Sequence, residues 1–170
     1  MAKGNIINKL LASGPLLLLY YLSISEIDTN LEKIFEVFSL NLQIIIIYFW
    51  IIKRPNLMGA GHVFVAGLIN DVVMGFPLGI SSLSYLVICF VGNYVRNKSV
   101  NTTIASDWFT FLIALLFANL LFFSLLNSFS EIAISYAKIG YNTFFTLFLF
   151  PVFWLLFNLY QMSFIGSSDA

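Results

Sequence analysis

Six long apolar runs dominate this chain, and they restrict its fold more than any other feature. A helix needs about 20 largely apolar residues to cross the hydrocarbon core of a bilayer, where it must satisfy its own backbone hydrogen bonds. The sequence therefore predicts an all-α integral membrane protein with about six transmembrane helices in a single domain over residues 1–170. The predicted spans cover residues 8–25, 38–53, 58–75, 78–95, 105–127 and 140–162.

The balance of residue types agrees with a membrane location. Hydrophobic residues make up 60% of the chain and charged residues only 9%, too few to cover a water-facing exterior. The eight basic and eight acidic residues cancel, so the chain has no net positive field with which to hold phosphate backbones. The composition thus favours the lipid bilayer as the surrounding medium and argues against nucleic-acid binding.

The distribution of lysine and arginine predicts the orientation, because cytoplasmic loops carry the excess of these residues. With the N-terminus inside, six basic residues fall on the cytoplasmic side and only Lys33 and Lys138 fall outside. We therefore expect both termini in the cytoplasm. The six inner residues are Lys3, Lys9, Lys53, Arg54, Arg96 and Lys98.

Aromatic residues near the predicted span ends are typical of side chains that anchor a helix at the lipid–water boundary. We expect five of them to have this role. They are Trp50, Tyr94, Trp108, Tyr141 and Tyr160.

The first outer loop has an amphipathic pattern. Asp28, Glu32 and Glu36 recur every fourth residue, and apolar residues at 31, 34, 35 and 38 share a helical face between them. One interpretation is a segment that lies on the membrane surface and leads into the second span. The other is a docking site for an extracytoplasmic partner, formed by the three acidic side chains.

Asp71 is the only acidic residue predicted well inside a span. A carboxylate near the bilayer centre costs about 2.5–3.5 kcal/mol on insertion scales, so this side chain is not expected to face lipid. It belongs to a row of mostly small residues spaced by four, which would let a second helix approach closely. That row is Gly59, Val63, Gly67, Asp71 and Gly75.

Three roles remain open for Asp71: a structural cap or interhelical hydrogen bond, an ion or proton site, and a ligand contact. We favour the structural role, because no second acid or histidine lies nearby to relay a proton; His62 is expected near the cytoplasmic end of the same span. The candidate donors are Ser81, Ser82, Ser84, Asn119 and Asn127.

The sequence lacks the combinations of residues that catalysis requires. One histidine and one cysteine, Cys89 within an apolar run, provide too few ligands for a typical zinc site. No paired acids, activated nucleophile or phosphate-binding glycine loop is found. The sequence therefore predicts a binding or scaffolding protein with no catalytic residues, metal or cofactor.

One stretch resembles a known family. The string YFWIIKRP at residues 48–55, followed by VFVAGLINDV at 63–72 and GFPLG at 75–79, resembles the rod shape-determining protein family MreD. The matching motifs cover residues 48–79, and the rest of the chain agrees with the family only in hydropathy. The matching signature positions are Arg54, Pro55, Gly67, Asp71, Gly75 and Gly79. From the residues themselves, we expect Arg54 to anchor the inner loop, Pro55 to start the third helix, and the glycines to form the helix seam and turns.

The resemblance implies a non-enzymatic subunit of the bacterial cell-elongation complex in the inner membrane. It implies binding to MreC and, through MreC, a link among MreB filaments, the RodA polymerase and its penicillin-binding transpeptidase. It also implies a six-helix fold like the substrate-binding subunits of energy-coupling-factor vitamin transporters. The alternative function is such a transporter subunit, which should contain a polar cavity with several convergent groups, whereas the polar residues here are sparse.

Overall fold

The computed structural model describes residues 13–24, 34–98, 103–129 and 136–165, with side chains except those of 34–41, 136–139, 164 and 165. These residues form helices and no strands, which confirms the predicted all-α class, and each helix falls on one predicted apolar run. A short π-helical segment, Gln161–Ile165, follows the last helix. The helices are α1 (Gly14–Ile24), α2 (Ile34–Lys53), α3 (Ala60–Met74), α4 (Ile80–Lys98), α5 (Ile104–Phe129) and α6 (Tyr136–Tyr160).

Helix α2 lies at the centre of the molecule. Every residue from 43 to 52 is buried, and α2 packs against α1, α4 and α6. A helix buried on all sides must be apolar on all sides, which explains the four consecutive isoleucines at 44–47. The other helices follow one another around it by contact, in the order α1, α3, α4, α5 and α6.

A cluster of aromatic rings joins α2 to α5 and α6. The rings of Phe111 and Phe150 stack with their centroids 4.2 Å apart, and Tyr48 packs against Phe111 at 5.1 Å. The Tyr48 hydroxyl also forms a 2.5 Å hydrogen bond with Thr110 Oγ1. Large rings with satisfied polar atoms thus fill the space between these three helices.

The exterior of the bundle is apolar. Segments Ile104–Phe129 and Gly140–Ser163 are long and apolar enough to cross a membrane, and only 33% and 11% of their most apolar stretches are buried. Phenylalanine and leucine side chains therefore project outward along α5 and α6, where water would be an unfavourable solvent. The most exposed are Leu120, Phe129, Phe144 and Phe148.

Trp50 does not have the boundary role that its position predicted. Its side chain is 1% exposed and lies within the core, whereas Trp108, Tyr94 and Tyr141 are exposed as expected. The cause is the central position of α2, which buries the end of this helix as completely as its middle.

Helices α3 and α4 approach most closely at Gly67. A Cβ atom on Gly67 would lie 2.4 Å from Ser82 Cα and 2.6 Å from Ser82 N, so only a residue without a side chain fits there. The atoms that it would meet are backbone atoms, which cannot rotate away. Gly61 lies in the same helix, and a Cβ there would meet nothing within 4 Å.

We predict that Gly67→Ala destabilises the protein by about 1–3 kcal/mol, because the added methyl group must push α3 away from α4. The matched variant Gly61→Ala should be neutral or stabilising by up to about 1 kcal/mol, the helix-propensity difference between the two residues. Thermal unfolding in detergent measures both variants. Equal melting temperatures would contradict the close approach at Gly67.

Candidate functional site

The Asp71 carboxylate caps a helix other than its own. It is fully buried in the last turn of α3, and its Oδ2 accepts a 2.8 Å hydrogen bond from the Gly79 N–H. Its Oδ1 accepts another, also of 2.8 Å, from the Ser81 N–H. These donors belong to the start of α4, where backbone N–H groups have no partner within the helix and the helix dipole is positive. The negative charge is therefore compensated by the helix terminus.

The main chain of the same residue ends α3. The Asp71 carbonyl oxygen accepts from the N–H groups of Gly75 and Phe76, the latter at 2.9 Å. Gly75 has φ of 67°, a left-handed conformation that permits this helix ending. Gly79 also has a positive φ, 102°, one residue before α4 begins. Asp71 thus holds both ends of the turn between α3 and α4.

The serine hydroxyls that we expected to bind Asp71 bind other groups. Ser82 Oγ donates to the Phe64 carbonyl oxygen at 3.1 Å, and Ser84 Oγ donates to the Ile80 carbonyl oxygen at 2.9 Å. Asn119 donates to Thr143 on α6, and Asn127 is exposed. Of the five expected donors, Ser81 does bind Asp71, but through its main-chain N–H, because the short turn brings the N–H groups at the start of α4 to the carboxylate.

A buried chain of polar side chains extends from this cap. Asn70 Nδ2 donates to Ser81 Oγ at 3.1 Å, and Gln43 Nε2 donates to Asn70 Oδ1 at 3.4 Å. The Tyr85 hydroxyl donates to Gln43 Oε1. Four buried side chains from α2, α3 and α4 therefore satisfy one another within the core. The sequence analysis missed this network, because it treated the polar residues as scattered. The signal that could have revealed it is that these polar residues lie inside apolar runs, where each needs a hydrogen-bond partner.

The row of residues spaced by four is a packed seam only in its middle. Val63, Gly67 and Asp71 are buried. A Cβ added at Gly59 or Gly75 would meet nothing within 4 Å, because Gly59 precedes α3 and Gly75 follows it. The seam is therefore shorter than the spacing predicted.

Four of the signature residues lie outside α3, two on each side of it. Arg54 directly follows α2, with its N–H bonded to the Trp50 carbonyl oxygen at 2.7 Å, and Pro55 follows in a turn. The expectation that Pro55 starts the third helix is wrong, since α3 begins at Ala60. A proline disfavours the helical conformation of the residue before it, here Arg54, so Pro55 marks the end of α2 instead. A helix of 15 residues, about 22 Å long, separates these two residues from Gly75 and Gly79.

The structure does not describe the side chains of the three acidic residues in the first predicted outer loop. Asp28 and Glu32 lie outside the described residues, and Glu36 lies in the first turn of α2 without a described side chain. His62 Nδ1 is 3.1 Å from the Tyr20 hydroxyl, and Cys89 is buried. Within the described part of the chain, no three histidine, cysteine, aspartate or glutamate side chains come together as a metal site would require.

A second buried carboxylate lies at the opposite end of the bundle, and sequence reasoning missed it. Asp107 is 1% exposed; its Oδ2 accepts a 3.0 Å hydrogen bond from Trp154 Nε1 and lies 3.9 Å from Lys53 Nζ. The Lys53 ammonium also sits over the Trp154 ring, 5.5 Å from its centroid. Asp107 lies in the first turn of α5, and there its carboxylate joins the ends of α2, α5 and α6.

An all-α bundle whose outer surface is apolar, with a buried polar network inside, is the architecture of a helical membrane protein. The family model for the rod shape-determining protein MreD matches residues 9–162 of the 170. The chain belongs to the MreD family, which confirms the resemblance, and its role is in rod shape determination. No curated protein and no solved structure matches the chain.

We predict that Asp71→Leu destabilises the protein by about 3 kcal/mol or more, because it leaves two buried N–H groups without an acceptor. Asp71→Asn retains one acceptor oxygen and should cost about 1–2 kcal/mol. Ser84→Ala, which removes a hydroxyl bonded within its own helix, is the control and should have little effect. Thermal unfolding in detergent ranks the three variants, and equal tolerance of leucine and asparagine at position 71 would contradict the cap.

Proposed function

We propose that this protein is a non-enzymatic scaffold subunit of the bacterial cell-elongation complex, with six spans in the inner membrane and both termini in the cytoplasm. The observation that carries the proposal is the family match, which extends over nearly the whole chain. The six helices on six apolar runs and the excess of inner lysine and arginine support the topology.

The proposed partner is MreC, through which the protein is linked to MreB filaments, RodA and its penicillin-binding transpeptidase. The family role in rod shape supports this assembly. The described polar side chains also favour a scaffold, since Gln43, Asn70 and Ser81 bind one another and leave few groups for a substrate. Rigid packing at Gly67 and the cap at Asp71 would hold the bundle in the shape that the partner recognises.

The proposed contact for the extracytoplasmic part of MreC is the acidic set Asp28, Glu32 and Glu36. Their spacing by four would place all three charges on one face of a helix. A cationic surface on the partner would then recognise them by charge complementarity, which mainly determines association rate and specificity.

We predict that lysine substitution of Asp28, Glu32 and Glu36 together reduces co-purification with tagged MreC by at least tenfold at low salt. Glu131→Lys reverses one acidic charge between the fifth and sixth predicted spans, in a loop also expected outside, and should leave co-purification unchanged. Undiminished recovery of the triple variant would refute this contact. Failure of the unmodified protein to bind MreC would refute the partner itself.

Depletion of the protein in a rod-shaped host should yield round cells, since elongation depends on the complex. Microscopy of depleted cells gives the readout, with vitamin uptake measured in parallel. Rods that lose vitamin uptake would instead support a transporter subunit. Rescue by Asp71→Asn but not by Asp71→Leu would connect the cap to the function in the cell.

A further inference from the structure

The exposed side of α4 changes character along its length. Leu83, Phe90 and Tyr94 are 44%, 74% and 57% exposed, and Lys98, the last residue of the helix, is exposed as well. Spacings of seven, four and four residues place these side chains on one face of the helix. This face of α4 therefore runs from apolar residues, through a tyrosine, to a cation at the helix end.

The aromatic ring holds the cation in place. Lys98 Nζ lies over the Tyr94 ring, 5.5 Å from its centroid, in a cation–π arrangement. An ammonium group carries three N–H donors, so an exposed lysine in this arrangement still has donors for an anion. Arg96, in the same last turn, is exposed and adds a second positive charge.

The positive charge at the end of α4 is not compensated within the described part of the chain. No described acidic side chain forms an ion pair with Arg96 or Lys98. Lys53, at the end of α2, differs from them because it lies 3.9 Å from the buried Asp107 carboxylate. The end of α4 therefore favours an anion from outside the chain.

The distances along α4 match one leaflet of a bilayer. Phe90 and Lys98 are eight residues apart, or about 12 Å along the helix axis. Half of the hydrocarbon core is about 15 Å thick, so Phe90 lies among acyl chains when Lys98 lies at the headgroups. Tyr94, between them, falls in the boundary layer where tyrosine is favoured.

The combination of charge and depth separates a lipid from a soluble acidic partner. A ligand that matches the whole face must be anionic at one end and apolar over about 12 Å beyond it. A phospholipid with a net negative charge has this form. A water-soluble protein would reach Arg96 and Lys98 but would leave Phe90 uncovered.

We propose that this face of α4 binds an anionic diacyl glycerophospholipid. Its headgroup lies at Lys98, with Arg96 adding to the attraction, and its glycerol lies at the level of Tyr94. One acyl chain runs along Phe90 and Leu83. The site is independent of the proposed MreC contact, which lies in an outer loop, and its test requires no partner protein.

The full-length protein, stripped of lipid in detergent, is titrated with dioleoyl phosphatidylglycerol and with dioleoyl phosphatidylcholine. Native mass spectrometry measures the bound fraction. We expect phosphatidylglycerol to bind at least tenfold more tightly at low salt, because two cations attract its net charge, and we expect added salt to reduce this preference.

The double variant Arg96→Gln and Lys98→Gln should lose most of this preference while still binding both lipids. Lys138→Gln is the matched control, because it removes a lysine predicted on the outer side, and it should retain the preference. Equal affinity of the unmodified protein for the two lipids would overturn the site. An undiminished preference in the double variant would do so as well.

A further measurement separates a lipid from a free anion. Glycerophosphoglycerol, the headgroup without acyl chains, should not displace bound phosphatidylglycerol; displacement at equal concentration would overturn the lipid assignment. Phe90→Ala should weaken phosphatidylglycerol binding about fivefold, because it removes apolar contact with the acyl chain. Phe144→Ala is the matched control, since Phe144 lies on α6 and is similarly exposed, at 71%. Equal binding by these two variants, at unchanged thermal stability, would contradict the acyl-chain contact.

Discussion

The hydrogen bonds from the start of α4 to the Asp71 carboxylate are the interaction on which this structure most depends. In a membrane, free backbone N–H groups at a helix terminus have no water to bind, so each helix that ends at depth needs an internal acceptor. Asp71 supplies two acceptor oxygens to α4, and its carbonyl oxygen ends α3. A negative charge that would be costly alone becomes favourable at the positive end of the helix dipole.

The cap also fixes the neighbouring contacts. Once the turn between α3 and α4 is closed, Gly67 lies directly against the backbone of Ser82, and Ser81 is in place to accept from Asn70. Gln43 then connects this pair to the central helix α2. At the C-terminal end of α2, Asp107 makes a second polar junction with Lys53 and Trp154. Polar contacts thus tie α2 into the bundle at its middle and at its C-terminal end, which suits a protein whose proposed role is to present a fixed shape.

Much of the fold could be predicted because its determinants are local. Among the described residues, one helix falls on each of the six apolar runs, since length and hydropathy are properties of each run alone. Asp71 was correctly singled out, because one carboxylate in an apolar run has few favourable locations. Of its two donors, Ser81 was among the residues expected by depth, whereas Gly79 was not. Both donate through the main chain, and the sequence does not show which main-chain N–H groups a turn will bring to a carboxylate. The burial of Trp50 could not be predicted for a similar reason, since nothing in its own run shows that α2 is central.

The sequence by itself determined that lipid is the surrounding medium, that the secondary structure is helical, and which family the chain belongs to. These follow from composition, from the length of each apolar run and from the motif at residues 48–79. The tertiary structure decided which polar atoms pair and that the closely packed seam is limited to Val63, Gly67 and Asp71. The physical reason is that burial, hydrogen-bond geometry and close packing depend on which helices become neighbours, and residues distant along the chain determine that jointly.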